Sequence, residues 1–450
     1  MSGPIRSFRA ALAVAVAAGI TVFTPGTAAA DSDCETEVES VEAADLTDQN
    51  TWAQRLFDME RVWPLATGKG VTVAVLDSGV QGDHPIFSGN VASGKAYVDP
   101  ESTDRDSQDL SDNGTRDCLG HGTAVAGIIA GGKADGSDFY GMAPDVTILP
   151  VRVTNDDPNA AADEEDSSND DPLVTPDDFA DAIRYAVDHD ADVINMSLKF
   201  DQDHPSIKAA VEYATEQGAV LVASGGNDGG EELADATRPA YPAAYEQVIG
   251  VGAVDQTLTK TQQSQWGFWI NLVAPGAAVA APQHDGGFQE AFGGTSGAAA
   301  FVSAAAALLV ERYPNWSPEQ YVTQLLLTAS AVSGEVPSPE YGYGVVDPYR
   351  ALTERLTGAE PVDITSFEPP MLTEAQATRE EDFTWMNSVA LIVALVAVAG
   401  FFITILSVAA IRRARRAGWR SRKASKEDMI EPVDDGDPIP LFQGIKGLKQ

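Results

Sequence analysis

The run VTVAVLD, from Val71 to Asp77, constrains the fold more than any other feature. It is nearly continuous in apolar residues, so a strand formed there has no polar face and must be covered on both sides. Strands of that kind belong to parallel sheets, whose crossover connections place helices above and below. The rest of the chain supplies the alternation. TWAQRLFDMERVW (residues 51–63) puts Trp52, Leu56, Met59 and Trp63 on one helical face that ends at Pro64. HGTAVAGIIAG reads as a helix opening at His121, VTILPVRV (Val146 to Val153) as a strand, and Pro176 to Asp188 as a helix carrying Phe179, Ile183 and Val187. DVINMSL is a strand, Ser206 to Gln217 a helix, and AVLVASGGN and QVIGVGAV are strands. Ser296 to Glu311 is a helix of small residues, and a further helix begins at Ser317 or Pro318. This order predicts an α/β fold, a mainly parallel β-sheet with helices on both faces and right-handed crossovers.

Ligand-binding groups of such a sheet collect at the carboxyl ends of its strands. Asp77 closes an apolar strand there, His121 opens one small-residue helix, and Ser296 opens another. Taken singly, Asp77 can cap a turn, His121 a helix, and Ser296 can be an N-cap. Taken together they are three groups at the ends of regular elements that could cooperate, an acid, a base and a hydroxyl nucleophile. His84, His189, His204 and His284 have no such convergent setting and read as surface or loop residues. There is no compact HExxH or Cys/His cluster, so neither a metal nor a cofactor is expected.

The segments VAVLDSGV, GHGTAVAG and GTSGAAA resemble the three catalytic signatures of the subtilisin-like serine proteases, and VINMSL and SGGN resemble that family's substrate-binding strand and oxyanion segment. The resemblance covers about residues 52 to 354. It implies a triad of Asp77, His121 and Ser296, with Asn227 and the Ser296 backbone N–H donating to the oxyanion. It also implies a cleft in which Ser197 and Leu198 on one side, and Ala223, Ser224 and Gly225 on the other, bind an extended peptide. Lys199 and Phe200 stand where the family often has two glycines. Either they narrow the primary specificity pocket or their side chains turn outward. Gly297 and Ala300 depart from the family's larger residue after the serine and its proline, so the nucleophile's first helical turn is expected to be less preorganised.

The formal charge of −38 excludes a nucleic-acid partner, since phosphates would be repelled before contact. The acidic insertion at residues 155–178 either borders the cleft and favours basic substrate positions or is a solvated loop. The N-terminus carries Arg6 and Arg9, an apolar run and then Ala28-Ala29-Ala30, the layout of a signal peptide over residues 1–30. From Trp385 to Ile411 there is no charge, acids precede the stretch and five arginines between Arg412 and Arg420 follow it. That pattern predicts a transmembrane helix at 385–411 with the tail, 412–450, cytoplasmic. Export places Cys34 and Cys118, the only two cysteines, in an oxidising compartment, where one intramolecular disulfide is expected; two free thiols or an intermolecular bond are the alternatives. The remaining divisions are an acidic arm at 31–50, a peptidase domain at 51–354 and a tether at 355–384. This architecture resembles the mycosins, membrane-anchored subtilases of type VII secretion systems. The resemblance implies protein or peptide substrates, a membrane and secretion-complex components as partners, with a structural role for the domain as the alternative to proteolysis.

Overall fold

The computed structural model describes residues 34, 40–47, 51–98, 110–111, 113–155, 174–230, 236–332, 336–356, 362, 400, 404, 406–416 and 418. The signal peptide, most of the arm, the core of the acidic insertion, most of the tether and nearly all of the expected membrane span and tail lie outside the described residues. The chain divides into two compact units, Met1–Pro369 and Pro370–Gln450. In the second, residues 406–416 are helical.

The first unit is built on seven parallel strands. They are β1 (Thr72–Asp77), β2 (Lys95–Ala96), β3 (Thr147–Arg152), β4 (Val193–Met196), β5 (Val220–Ser224), β6 (Val248–Val254) and β7 (Leu272–Pro275), in the spatial order β2-β3-β1-β4-β5-β6-β7. Chain order runs outward from β1 to β3 on one side and then from β4 onward on the other. A crevice therefore opens beyond the carboxyl ends of β1 and β4, where Asp77 and Ser197 lie.

Both faces of the sheet are covered. Helix α3 (His121–Ala130) and helix α6 (Gly294–Arg312) belong to one core with Val73, Val75 and Val222; α4 (Pro176–Asp188) and α5 (Pro205–Glu216) belong to the other with Ala74, Leu76 and Leu221. Their sequences differ accordingly. Helix α6 is buried continuously from Gly294 to Leu309, and its alanines let it lie close to α3 and to the sheet. It is the one described helix long and apolar enough to cross a membrane, but it is the central helix of this core. Helix α4 is amphipathic and opens with a reciprocal capping box between Thr175 and Asp178. Helix α7 (Pro318–Leu327) opens with another, between Ser317 and Gln320, and α8 (Pro348–Thr353) follows.

The N-terminal helical segment departs from expectation. Residue Asp58 adopts a left-handed conformation, φ 47°, and splits the segment into α1 (Trp52–Phe57) and α2 (Met59–Val62). The break rotates the pattern, so Phe57 and Val62 are buried with Trp52 and Met59, whereas Leu56 is 40% exposed and Trp63 only half-buried.

Two further strands, β8 (Val279–Pro282) and β9 (Phe288–Phe292), form an antiparallel hairpin packed on α3. The arm adds to it: Val41 exchanges two 2.8 Å backbone hydrogen bonds with Phe288. Cys34 and Cys118 are joined in a disulfide, Cα atoms 5.3 Å apart. Gly127 permits the hairpin's close approach, since a Cβ there would stand 2.1 Å from Pro282 Cγ. Gly127→Ala is expected to destabilise the unit by about 1–3 kcal/mol through overpacking, read as a lower denaturant midpoint at unchanged slope. A wild-type midpoint would show that the hairpin yields freely.

Candidate active site

Asp77, His121 and Ser296 are each at least 96% buried, and the helices that carry His121 and Ser296 pack on one another. Asp77 ends β1, and its Oδ1 lies 2.7 Å from His121 Nδ1 while accepting from the Ser78 backbone N–H at 2.7 Å. His121 is the first residue of α3. That position is set by a residue the sequence reading missed.

Gly120, at the N-cap of α3, has no side chain to satisfy the helix's first N–H groups. Asp117 does so instead. Its Oδ1 accepts from the N–H of Leu119 and Gly120 and from Ser78 Oγ, and its Oδ2 accepts from the N–H and hydroxyl of Thr123, all between 2.6 and 3.1 Å. Ser78 Oγ in turn accepts from the Gly122 N–H at 2.9 Å. The carboxylate thus ties the end of β1 to the start of α3 and fixes the separation of Asp77 from His121. Burial raises the Asp117 carboxyl above its ordinary value despite the opposing Thr123 bonds. The available signal was an acid four residues before the histidine, and nothing local marks it as a cap.

Ser296 lies in the first turn of α6, where backbone N–H groups have no partner within the helix and the helix dipole favours a nearby anion. Asn227 stands across from that turn. Its Oδ1 accepts from the Thr295 N–H at 2.9 Å and the Thr295 hydroxyl at 3.0 Å, which turns the amide's donor arm to the opposite side. The turn leading to it depends on Gly226 at φ 100°, where a Cβ would also meet Gln265 Oε1 at 1.8 Å. His121 Nε2 and Ser296 Oγ are buried, and no hydrogen bond joins them.

Ser197 follows β4, with Asn195 donating to its hydroxyl at 3.0 Å, and Ala223, Ser224 and Gly225 lie at the end of β5. Of the two readings for residues 199–200, the outward one describes Phe200. Its backbone pairs with Tyr241, and its ring packs 5.3 Å from Phe179 of α4. Lys199 reaches Asp201 at 2.7 Å and also Asp228, next to Asn227, so it links the two walls of the crevice. These carboxylates outweigh its burial and raise the ammonium's pKa.

Gly297 has a structural counterpart. A Cβ there would meet Phe292 Cδ1 and Cε1 at 3.3 Å, and the Phe292 ring stands edge-on to His121, centroids 5.2 Å apart. The aromatic ring of β9 occupies the space that a side chain after the serine would take.

Two histidines lie in loops, as expected, but are buried. His84 is 4% exposed and His284 1%. His84 Nδ1 accepts from the Ile86 N–H at 3.1 Å and its Nε2 donates to the Gly287 carbonyl at 3.2 Å, so the ring pins the hairpin turn. Burial lowers its pKa, outweighing the Gly287 bond and the charges of Asp285 and Asp83. His189 stacks on Tyr185, and His204 meets Phe200.

Residues 68–344 match the family model for Peptidase S8, the subtilase family. The chain belongs to the subtilase family of serine endopeptidases. It is 35% identical over 306 residues to a thermophilic serine proteinase of a Bacillus species, covering 68% of this chain and 66% of that protein. It is 31% identical over 359 residues to mycosin-1 of Mycolicibacterium smegmatis, covering 71% and 77%. A solved structure of the MycP3 protease from the type VII (ESX-3) secretion system superposes with a TM-score of 0.56 at 30% identity, covering 71% of this chain and 92% of that one.

Two outcomes follow for the subtilase. Gly297→Met is expected to slow labelling of Ser296 by a serine-reactive phosphonate about tenfold or more, because the side chain forces Phe292 off His121. Adding Phe292→Ala should recover part of that rate, and equal rates for both variants would show that the ring is not displaced. Because the folded pKa of His84 is depressed, its contribution to stability is present above about pH 6.5 and is lost as pH falls below it. Melting temperature should therefore drop less between pH 7.5 and 5.5 in His84→Gln than in wild type.

Proposed function

We propose that this subtilase is an extracytoplasmic, membrane-anchored endopeptidase that uses Asp77, His121 and Ser296 as its triad. The observation that carries the reading is the buried 2.7 Å contact between Asp77 and His121 beside a serine in the first turn of a buried helix. Asp77 holds the imidazole through Nδ1, leaving Nε2 to take the Ser296 proton as Oγ attacks the scissile carbonyl. The Ser296 backbone N–H and the Asn227 amide donate to the oxyanion as charge develops on it. His121 returns its proton to the leaving amine, and water then cleaves the acyl-enzyme by the same path in reverse.

The substrate runs between the β4 end, at Ser197 and Leu198, and the β5 end, at Ala223 to Gly225, pairing through its backbone. The N-terminal apolar segment and the uncharged stretch before Arg412 support export and anchoring. Similarity to mycosin-1 and to a protease of a type VII secretion system supports selected exported proteins as substrates and secretion components as partners.

A second reading is a structural subunit of such a complex with a weak or dispensable active site. The unjoined His121 Nε2 and Ser296 Oγ are the observation in its favour. Hydrogen bonds of this kind often tighten only on substrate binding.

Ser296→Ala is expected to abolish phosphonate labelling and lower peptide cleavage by at least about a thousandfold. Asn227→Ala should lower kcat by about 10²–10³-fold with little change in KM. Wild-type protein that is folded yet neither labels nor cleaves would decide for the structural subunit.

A further inference from the structure

A pocket of about 360 Å³ adjoins His121 on the side of Phe292 and the Gly293-Gly294 turn. It contains none of the residues at the ends of β4 and β5. Under the catalytic reading above, on which this inference rests, the imidazole delivers its proton to the leaving amine. A space bordered by that imidazole and by the turn preceding Ser296 therefore faces the part of the substrate that departs first.

The pocket's chemistry is unusual for so apolar a core. Gln263 stands at its exposed rim, Gln289 is half-buried on β9, and Gln283 follows β8. Each presents a carboxamide, which donates and accepts. Gln283 is only 9% exposed, and its Oε1 has no hydrogen-bond partner. That acceptor is packed against Gly120, where a Cβ would stand 1.7 Å from it, so a ligand donor meets it only when the carboxamide turns toward the pocket. Among the described residues, no carboxylate lines the pocket to pair a lysine or arginine, and no lysine or arginine lines it to pair an acid. The chain's excess of 67 acidic over 29 basic residues further opposes an acidic side chain. An aliphatic side chain would offer no partner to the half-buried Gln289 and the buried Gln283 and would displace water from them.

We propose that this pocket binds the residues immediately downstream of the scissile bond and selects uncharged side chains that hydrogen-bond, amides and hydroxyls, over aliphatic and charged ones. Phe292 supplies the apolar wall against which such a side chain's methylenes lie, and the glutamines read its polar end. Selection acts where the leaving segment is held while His121 protonates it.

The test is acyl-enzyme partitioning. An ester carrying only upstream residues acylates Ser296, and added amino-acid amides then compete with water. The incoming amine nitrogen attacks the acyl carbonyl and gives its proton to His121, and Ser296 Oγ leaves, taking that proton back. A peptide bond forms as the ester bond breaks. The aminolysis-to-hydrolysis ratio is expected to be about three- to tenfold higher for glutaminamide and threoninamide than for leucinamide or argininamide. In Gln289→Leu and in Gln263→Leu that preference should shrink or invert. Equal or better use of leucinamide by wild type, or an unchanged preference in both variants, overturns the proposal alone. Absence of ester turnover in folded wild type overturns it together with the catalytic reading.

Discussion

The geometry of the site depends on one buried carboxylate, that of Asp117. Taking a carboxylate out of water costs several kcal/mol, and five hydrogen-bond donors, from Ser78 just after β1, from the loop before α3 and from its first turn, converge to meet that cost. Burial still holds the group above its ordinary pKa, so the donors are arranged around a charge they do not fully compensate. What they secure is position. Strand β1 and helix α3 are separate elements of one core, and this carboxylate fixes how the end of one meets the beginning of the other.

A second buried ion supports the first. Arg152 ends β3 in register with Asp77, is fully buried, and donates to the carbonyls of Val98 and Arg116 at 2.7 Å each. The second of these bonds holds the residue directly before Asp117. Behind the Asp77–His121 contact lie two buried ionisable side chains, Asp117 and Arg152, hydrogen-bonded mainly to backbone groups, an arrangement that tolerates little movement because each lost bond leaves a buried polar group without that partner. The disulfide lies in the same short loop, at Cys118.

The parallel sheet and the three principal site residues were legible because each rests on local pattern. A strand with no polar face, a helix of small residues and a motif at each boundary are all written within about ten residues. Asp117, Thr295 and Arg152 were not legible, because their roles come from partners brought near only by folding. The β8–β9 hairpin escaped for another reason: its second strand alternates Phe288, Gln289, Glu290, Ala291 and Phe292, and its connection holds Gly286 and Gly287, so neither apolar continuity nor helical period marks it. Asp58 shows the opposite failure. The helical period across it was real, yet a single left-handed residue let packing choose a different face.

The hairpin matters because it answers a question that the GTSGAAA motif around Ser296 leaves open. Read along the sequence, Gly297 is a deficiency, a flexible residue beside Ser296, the proposed nucleophile. In three dimensions the same absence admits Phe292, which touches both the helix that carries Ser296 and the ring of His121. Glycine and phenylalanine, five residues apart and on different elements, together fill the volume that one larger side chain would fill. The arm in turn pairs with the hairpin at Val41, so the packing behind the His121 imidazole is continuous with the N-terminal segment. Departure from a motif at one position is therefore weak evidence of a weakened site, since a close-packed interior transfers the requirement to whichever neighbour can meet it.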